Sequence, residues 1–179
     1  LALKHIVKIF IITAGFILLF NINSFAFIDA AAWGGYIFKG KVENDSSAEP
    51  KGGQYGIKAH YNTSLVPLLE IGLGGYYQYA KITYDVLNKD SDFERQTAGF
   101  DVNLILTLPV IHPYLRGTYA IWDKIEDEKE NFKAYGAGVG VEITIFPLIR
   151  IFGEYMFENT EHDTYLRTNA ANLGIKIDF

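Results

Sequence analysis

The chain contains no cysteine. That excludes a disulfide framework, a thiolate metal site and a lipid-modified N-terminal Cys. Cations are also in short supply: 16 Lys and Arg stand against 21 Asp and Glu, a formal charge of -5. Nucleic-acid binding needs a basic face, so that class of partner is set aside. Long hydrophobic runs are missing after residue 20, because Gly, Asn or a charge interrupts each later apolar stretch well before the roughly 18 residues a spanning helix needs. A folded region of this kind can enter a membrane only as strands, and strands in lipid must close into a barrel to pair every backbone group. What is plentiful fits β-structure: 12 Tyr, 13 Phe and 17 Gly in 179 residues, a length suited to one domain.

The first 26 residues read as an export signal. Lys4 and Lys8 form a positive start, residues 9–20 are almost uninterrupted apolar sequence, and Ser24 and Ala26 occupy the small-residue positions of a cleavage site. The apolar run is short for a membrane anchor and no stop-transfer charge cluster follows it. The expected division is a signal peptide at 1–26 and a barrel domain at 27–179. Cleavage would remove two of the 16 basic side chains and none of the 21 acidic ones, leaving a formal charge of -7.

Beyond Ala30 the chain alternates with a period of two, broken by turns. In residues 54–65, Tyr55, Ile57, Ala59 and Tyr61 form one register, and Gln54, Gly56, Lys58, His60 and Asn62 the other. Each register is one face of a strand. The same pattern in residues 69–79, 99–108, 115–121, 136–145, 149–158 and 172–179, with a less clear first strand near 32–42, predicts eight strands. Three features place the apolar face outward. The polar register is rich in Gly, Asn and Thr with single charges, as a narrow lumen requires. Short Pro-bearing turns near Pro67, Pro109 to Pro113 and Pro147 alternate with longer polar connections at 43–53, 85–95, 123–131 and 158–164. Aromatics gather at strand ends: Tyr36, Phe38, Tyr55, Tyr79, Phe100, Tyr119, Tyr135, Tyr155 and Phe157 at one level, Phe146 and Phe179 at the other. The predicted fold is an all-β, eight-stranded antiparallel up-and-down transmembrane β-barrel. A soluble exported barrel with the opposite orientation is the alternative.

The final residues run Asn172-Leu-Gly-Ile-Lys-Ile-Asp-Phe179. This pattern of a polar residue, glycine and alternating apolar positions closing on an aromatic resembles the C-terminal signal of the small outer-membrane barrels of the OmpA/OmpX and opacity-protein type. The resemblance implies outer-membrane lipids as surroundings and the barrel-assembly machinery as a partner that reads Gly174, Ile177 and Phe179. It assigns no subfamily.

The inward register should carry Lys58, Glu70, Asp101, Arg116, Glu142, Arg150, Glu154, Lys176 and Asp178. A lumen of eight strands is just wide enough for its own side chains, so a salt-bridged plug is expected, with a gated conduit as the alternative. Counting from the turns puts Glu70, Arg116, Glu142, Arg150 and Lys176 near the turn end, with Arg116 and Glu142 on neighbouring strands. The three glycines from Gly136 to Gly140 share one register and read as lumen-facing small residues, since no strand-to-helix context supports a phosphate loop. An acyl-transfer or hydrolysis site would need a nucleophile, base and acid; only Ser46, Ser47 and His162 in the connections suggest one. The acidic residues from Asp123 to Asn131 lack the spacing of a calcium loop. No cofactor and no metal are expected, and catalysis is not. The favoured role is structural or surface interaction of an adhesion type, with an extracellular partner met through the connections. A narrow channel and a lipid-modifying enzyme are the alternatives.

Overall fold

The computed structural model describes residues 27–42, 50–86, 89–125, 133–161 and 166–179. Every described element is a strand: β1 (Phe27–Val42), β2 (Lys51–Val66), β3 (Leu69–Val86), β4 (Lys89–Leu106), β5 (Ile111–Ile125), β6 (Lys133–Phe146), β7 (Ile149–Glu161) and β8 (Leu166–Asp178). Neighbours in sequence pair antiparallel, and β8 returns to β1 from Asp29↔Asp178 to Val42↔Leu166, closing the barrel. Closure leaves no edge strand and no unpaired ladder. The signal-peptide assignment and the residues Ser46, Ser47 and His162 lie outside the described residues.

The apolar register faces outward. Ile57, Ile121 and Leu173 are 61 %, 61 % and 75 % exposed, while Asp29, Asp101 and Asp123 are fully buried. The barrel is therefore inverted relative to a water-soluble one, whose apolar side chains fill the interior. The aromatics anticipated at the strand ends are on the outer face, with Tyr55 against Tyr79 at 5.1 Å between ring centroids and Phe38 against Tyr155 at 6.0 Å.

Short connections gather at one end. Pro67 and Leu68 join β2 to β3, residues 107–110 join β4 to β5, and Pro147 and Leu148 join β6 to β7. Backbone bonds stitch this end together: Thr107 N–H to Leu68 O, Thr144 N–H to Val110 O, Asp178 N–H to Leu148 O and Phe179 N–H to Ile28 O, at 2.8 to 3.0 Å. At the opposite end one expected connection is replaced by strand. Residues 85–86 and 89–95 are strand rather than polar loop, because β3 and β4 stay paired up to Val86↔Lys89. Thr83, Asp92 and Lys81 support this extension: the Thr83 hydroxyl donates to Asp92 at 2.7 Å and Lys81 lies 3.3 Å from it. The hydroxyl first, and the ammonium next, hold the Asp92 carboxyl below its ordinary range.

Lumen glycines are matched to large side chains on the adjacent strand. Trp33 faces Gly56, Tyr114 faces Gly140 and Phe152 faces Gly174 in register. A Cβ at any of these glycines would run into the facing ring. The glycine register thus supplies the space that the facing rings occupy in a narrow lumen.

Two bulges set which side chains enter the lumen. In β5, Ala120 pairs with Gly99 and Trp122 with Ala98, so Ile121 is the extra residue. The slip keeps Trp122 out of the lumen and turns Asp123 into it. In β1 the register shifts between Ile37 and Lys39, so Phe38 and Lys39 both face outward.

Leu68 has a φ of 70° and is the non-glycine residue with positive φ among those described. It follows Pro67, in the position that a Pro-initiated type II turn normally gives to Gly. Leu68→Gly is expected to stabilise the barrel by about 1 kcal/mol by relieving this strain. Urea unfolding in lipid vesicles checks it; a loss of stability of that size would contradict the strain assignment.

Candidate functional site

The inward polar residues form three connected tiers. Nearest the turns, Lys176 lies 2.6 Å from Glu142 Oε1 and 3.4 Å from Asp29 Oδ2, and Arg150 reaches Glu142 at 3.0 Å and Asp178 at 2.9 Å. Half-way up, Arg116 spans the lumen. Its Nε donates to Asp101 at 2.9 Å, and its Nη1 to Glu154 at 2.6 Å. Near the far end, Arg95 holds Asp123 through Nε and Nη2 at 2.9 and 3.1 Å, and Glu158 through Nη1 at 2.9 Å.

Glu154 is the hub of the middle tier. It accepts from Arg116, Lys58, Tyr114 and Asn172 at 2.6, 3.2, 2.8 and 3.1 Å. The same ammonium of Lys58 lies 4.4 Å from the centre of the Phe152 ring, so an aromatic face shares its charge. Polar links join the tiers. The Gln78 amide donates to Gln54 at 3.1 Å and to Glu158 at 3.4 Å, and Gln54 donates to Asn172 at 2.7 Å. His60 sits between the lower and middle tiers. Its Nδ1 is 2.8 Å from Asp29, and its Nε2 is 3.4 Å from Asp101 and 3.1 Å from the Asn103 amide.

Of the residues singled out by alternation, Lys58, Asp101, Arg116 and Glu154 meet in the middle tier, and Glu142, Arg150, Lys176 and Asp178 in the lower one. Two placements differ from expectation. Arg116 is not near the turns and does not meet Glu142. It pairs in register with Gly138, four residues along β6 from Glu142, a separation of about 13 Å at the rise of a strand. Glu70 is half-buried beside the β2–β3 turn and makes no ion pair with a described residue.

Asp29, Arg95 and Asp123 belong to the network although alternation did not assign them to it, and Glu158 joins it from the polar register of residues 149–158, where it was read as the start of a connection. Arg95, Asp123 and Glu158 fall at the ends of stretches that read as polar connections. The β5 bulge hides Asp123 further, since strict alternation from Thr118 and Ala120 would send residue 122 inward. A signal was present for Asp29: the spacing Asp29, Ala31, Trp33 continues the inward register of β1 down to the turn end.

The histidines of the described residues, His60 and His112, contact no hydroxyl nucleophile beside an orienting acid. His112 meets the Thr144 hydroxyl at 2.8 Å through Nε2, but its Nδ1 has no partner. Among the described residues no group of three His, Asp or Glu side chains is arranged to hold a metal ion.

With this geometry in hand, the barrel superposes on Neisserial surface protein A at a TM-score of 0.62 and 15 % identity, over 86 % of this chain and 97 % of that one. The fold is that of the small outer-membrane barrels. The Yersinia pestis outer membrane protein Ail matches at 0.48 and 13 % identity, over 85 % and 99 % of the two chains. The outer membrane protease OmpT of Escherichia coli matches at 0.47 and 7 %, over 86 % and 95 %. At these identities the likeness is one of fold. The sequence matches no protein-family model and no curated protein.

Glu154 offers a direct test of the network. Glu154→Leu leaves Arg116 and Lys58 with an uncompensated buried charge, and a loss of about 3–5 kcal/mol is expected in urea unfolding. Adding Lys58→Met should recover part of that loss, because charge leaves with charge. If the double variant is less stable than Glu154→Leu by the full Lys58→Met effect, the two residues are not coupled.

Proposed function

We propose that this protein is an exported outer-membrane barrel whose body is a closed scaffold, and whose connections at the far end from the turns carry surface interaction. The outward apolar band supports the membrane placement. From Tyr135 to Ile145 the outer face of β6 spans ten residue steps, which at roughly 3.4 Å each and a tilt of roughly 40° gives a band of about 26 Å. That is close to the roughly 25 Å apolar height of outer-membrane barrels. The export signal at 1–26 supplies the route, and β8 supplies the ending that assembly machinery would read. In β8, Gly174 packs under Phe152, Ile177 faces outward, and Phe179 is exposed beyond the last paired residue.

One observation carries the scaffold reading over a channel. No residue among Lys58, His60, Asp101, Arg116 and Glu154 is more than 5 % exposed. A water-filled conduit would wet these charges from at least one side, and their partners would then be solvent rather than one another. The pairing leaves the connections as the part of the molecule able to vary without disturbing the fold, as recognition segments on rigid scaffolds do.

Planar-bilayer recording tests this. The intact protein is expected to give no steady conductance at neutral pH. Arg116→Ala opens space across the middle tier and is the variant in which current should first appear. Stepwise conductance from the unaltered protein would overturn the closed scaffold. Exchange of residues 126–132 for a neutral linker should abolish a cell-surface contact while the barrel keeps its compact gel mobility; retained contact would remove that connection from the role.

A further inference from the structure

At the turn end the lumen opens toward solvent, and Arg150 and Asp178 keep 18 % and 11 % of their side chains exposed there. The two cations of this tier are already engaged. Lys176 lies against Glu142 and Asp29, and Arg150 against Glu142 and Asp178. Glu70, half-buried in the inward register of β3, faces the same end and forms no ion pair with a described residue. The connections that border this mouth, 67–68, 107–110 and 147–148, are all among the described residues.

Two further groups at this mouth lack partners. Glu70 pairs in register with Ile105, and Ile105 with Tyr114. Thr107 and His112 each lie two residues nearer the turn, so they continue the same inward faces and stand across the β4–β5 connection from one another. The Thr107 hydroxyl and His112 Nδ1 are both buried, and neither has a hydrogen-bond partner among the described residues. His112 as a whole is 4 % exposed. Its ring is held from the other side, where Nε2 lies 2.8 Å from the Thr144 hydroxyl. The charges that act on this ring are Arg150, Glu142, Lys176 and Glu70, and of these Glu70 is the one left without an ion pair among the described residues. Buried polar atoms ordinarily find partners, so an unmatched imidazole nitrogen and an unmatched hydroxyl at one level mark a place for something that binds both. One water could serve these two. It could not balance the Glu70 carboxylate, whereas a cation meets all three groups.

We propose that the turn-end mouth of the lumen binds a divalent transition-metal ion of the zinc type, held by His112 Nδ1 and the Glu70 carboxylate, with the Thr107 hydroxyl and water in the remaining positions. In this arrangement the Thr144 hydroxyl accepts the Nε2 proton, which leaves the lone pair on Nδ1. Ligating imidazoles are commonly fixed in this way through their other nitrogen. An imidazole nitrogen beside a carboxylate suits zinc, whereas magnesium and calcium take oxygen ligands. Among the described residues no third His, Asp or Glu completes the set, so the ion is exchangeable rather than a closed structural centre. The site goes beyond the surface-interaction reading, which concerns the opposite end of the barrel.

The full-length protein in detergent micelles is dialysed against Zn²⁺ at neutral pH, with Mg²⁺ as the comparison, and the bound metal is measured. About one zinc per barrel should be bound, Mg²⁺ should not, and zinc should raise the temperature at which the compact gel band is lost. His112→Gln and Glu70→Gln should each weaken zinc binding by at least about tenfold, and Thr144→Val, which removes only the orienting partner, by roughly tenfold. A compact gel band without zinc shows that each variant is folded, and half-buried Glu70 is the position whose change disturbs the barrel least. A merely structural role for these residues would lower the gel-band temperature in the absence of zinc and leave zinc affinity unchanged. His162→Gln, between β7 and β8 in sequence, should bind zinc as the parent does. No zinc bound by the parent, equal retention of Mg²⁺, unchanged affinity in Glu70→Gln or His112→Gln, or loss of binding in His162→Gln overturns the site.

Discussion

Glu154 on β7 is held by Arg116 from β5 and Lys58 from β2 inside a lumen where the charges are buried against one another. Everything inside the strands follows from that constraint. Closing eight strands fixes a radius at which side chains from facing strands touch, so each polar group pointing inward must find its partner among the others. An isolated buried charge would cost several kcal/mol; a chain of them, alternating in sign and tied by amides, does not leave any one uncompensated. Arg116 meets this demand because its guanidinium fans donors in two directions, toward Asp101 on β4 and Glu154 on β7. A lysine at that position would offer one point of charge and could not bridge both walls in the same way. Lys58 sits where one carboxylate and an aromatic face suffice.

The glycines and aromatics answer the same constraint in volume rather than charge. A lumen lined only with long side chains would be overfilled, and one lined only with small ones would leave voids. Pairing Tyr114 with Gly140, Phe152 with Gly174 and Trp33 with Gly56 gives each ring the space its strand neighbour gives up. The Tyr114 hydroxyl then reaches Glu154, so the steric match also completes the polar one. Packing and electrostatics in this interior are therefore one problem: a ring displaced by an added Cβ would take a hydrogen bond from the hub.

Strand number, pairing direction, face assignment and the grouping of short turns at one end were all legible in the sequence, because a two-residue period survives wherever a strand is regular. The middle-tier residues Lys58, Asp101, Arg116 and Glu154 were legible for that reason. What alternation cannot show is height. Arg116 and Glu142 lie on adjacent strands, yet the stagger of the barrel separates them, and no periodicity encodes stagger. Nor does it show a bulge. Ile121 adds one residue to β5, and from that point every prediction of facing inverts; Asp123 reads as a solvent-facing loop residue but is the fully buried partner of Arg95. Composition misleads in the β3–β4 hairpin, where polar residues continue as paired strand beyond the apolar band, since backbone pairing does not depend on what the outer face touches.

A strand barrel built in this way answers to two solvents at once, and the bulges are where the answers are adjusted separately. In β5 the slip serves the interior: it brings Asp123 to Arg95 and keeps the Trp122 indole outside, against Tyr77 at 6.4 Å. In β1 the slip serves the exterior: it spends one residue to put an aromatic and a cation side by side at the rim, while Ile37 and Gly40 stay inside. Regular alternation could give neither result, because it ties each inward residue to an outward neighbour. Breaking it in β5 and in β1 frees the lumen network from the composition of the surface. The outer face of β1 and β8 can then present Lys39, Lys41 and Arg167 although the chain as a whole carries an excess of acids.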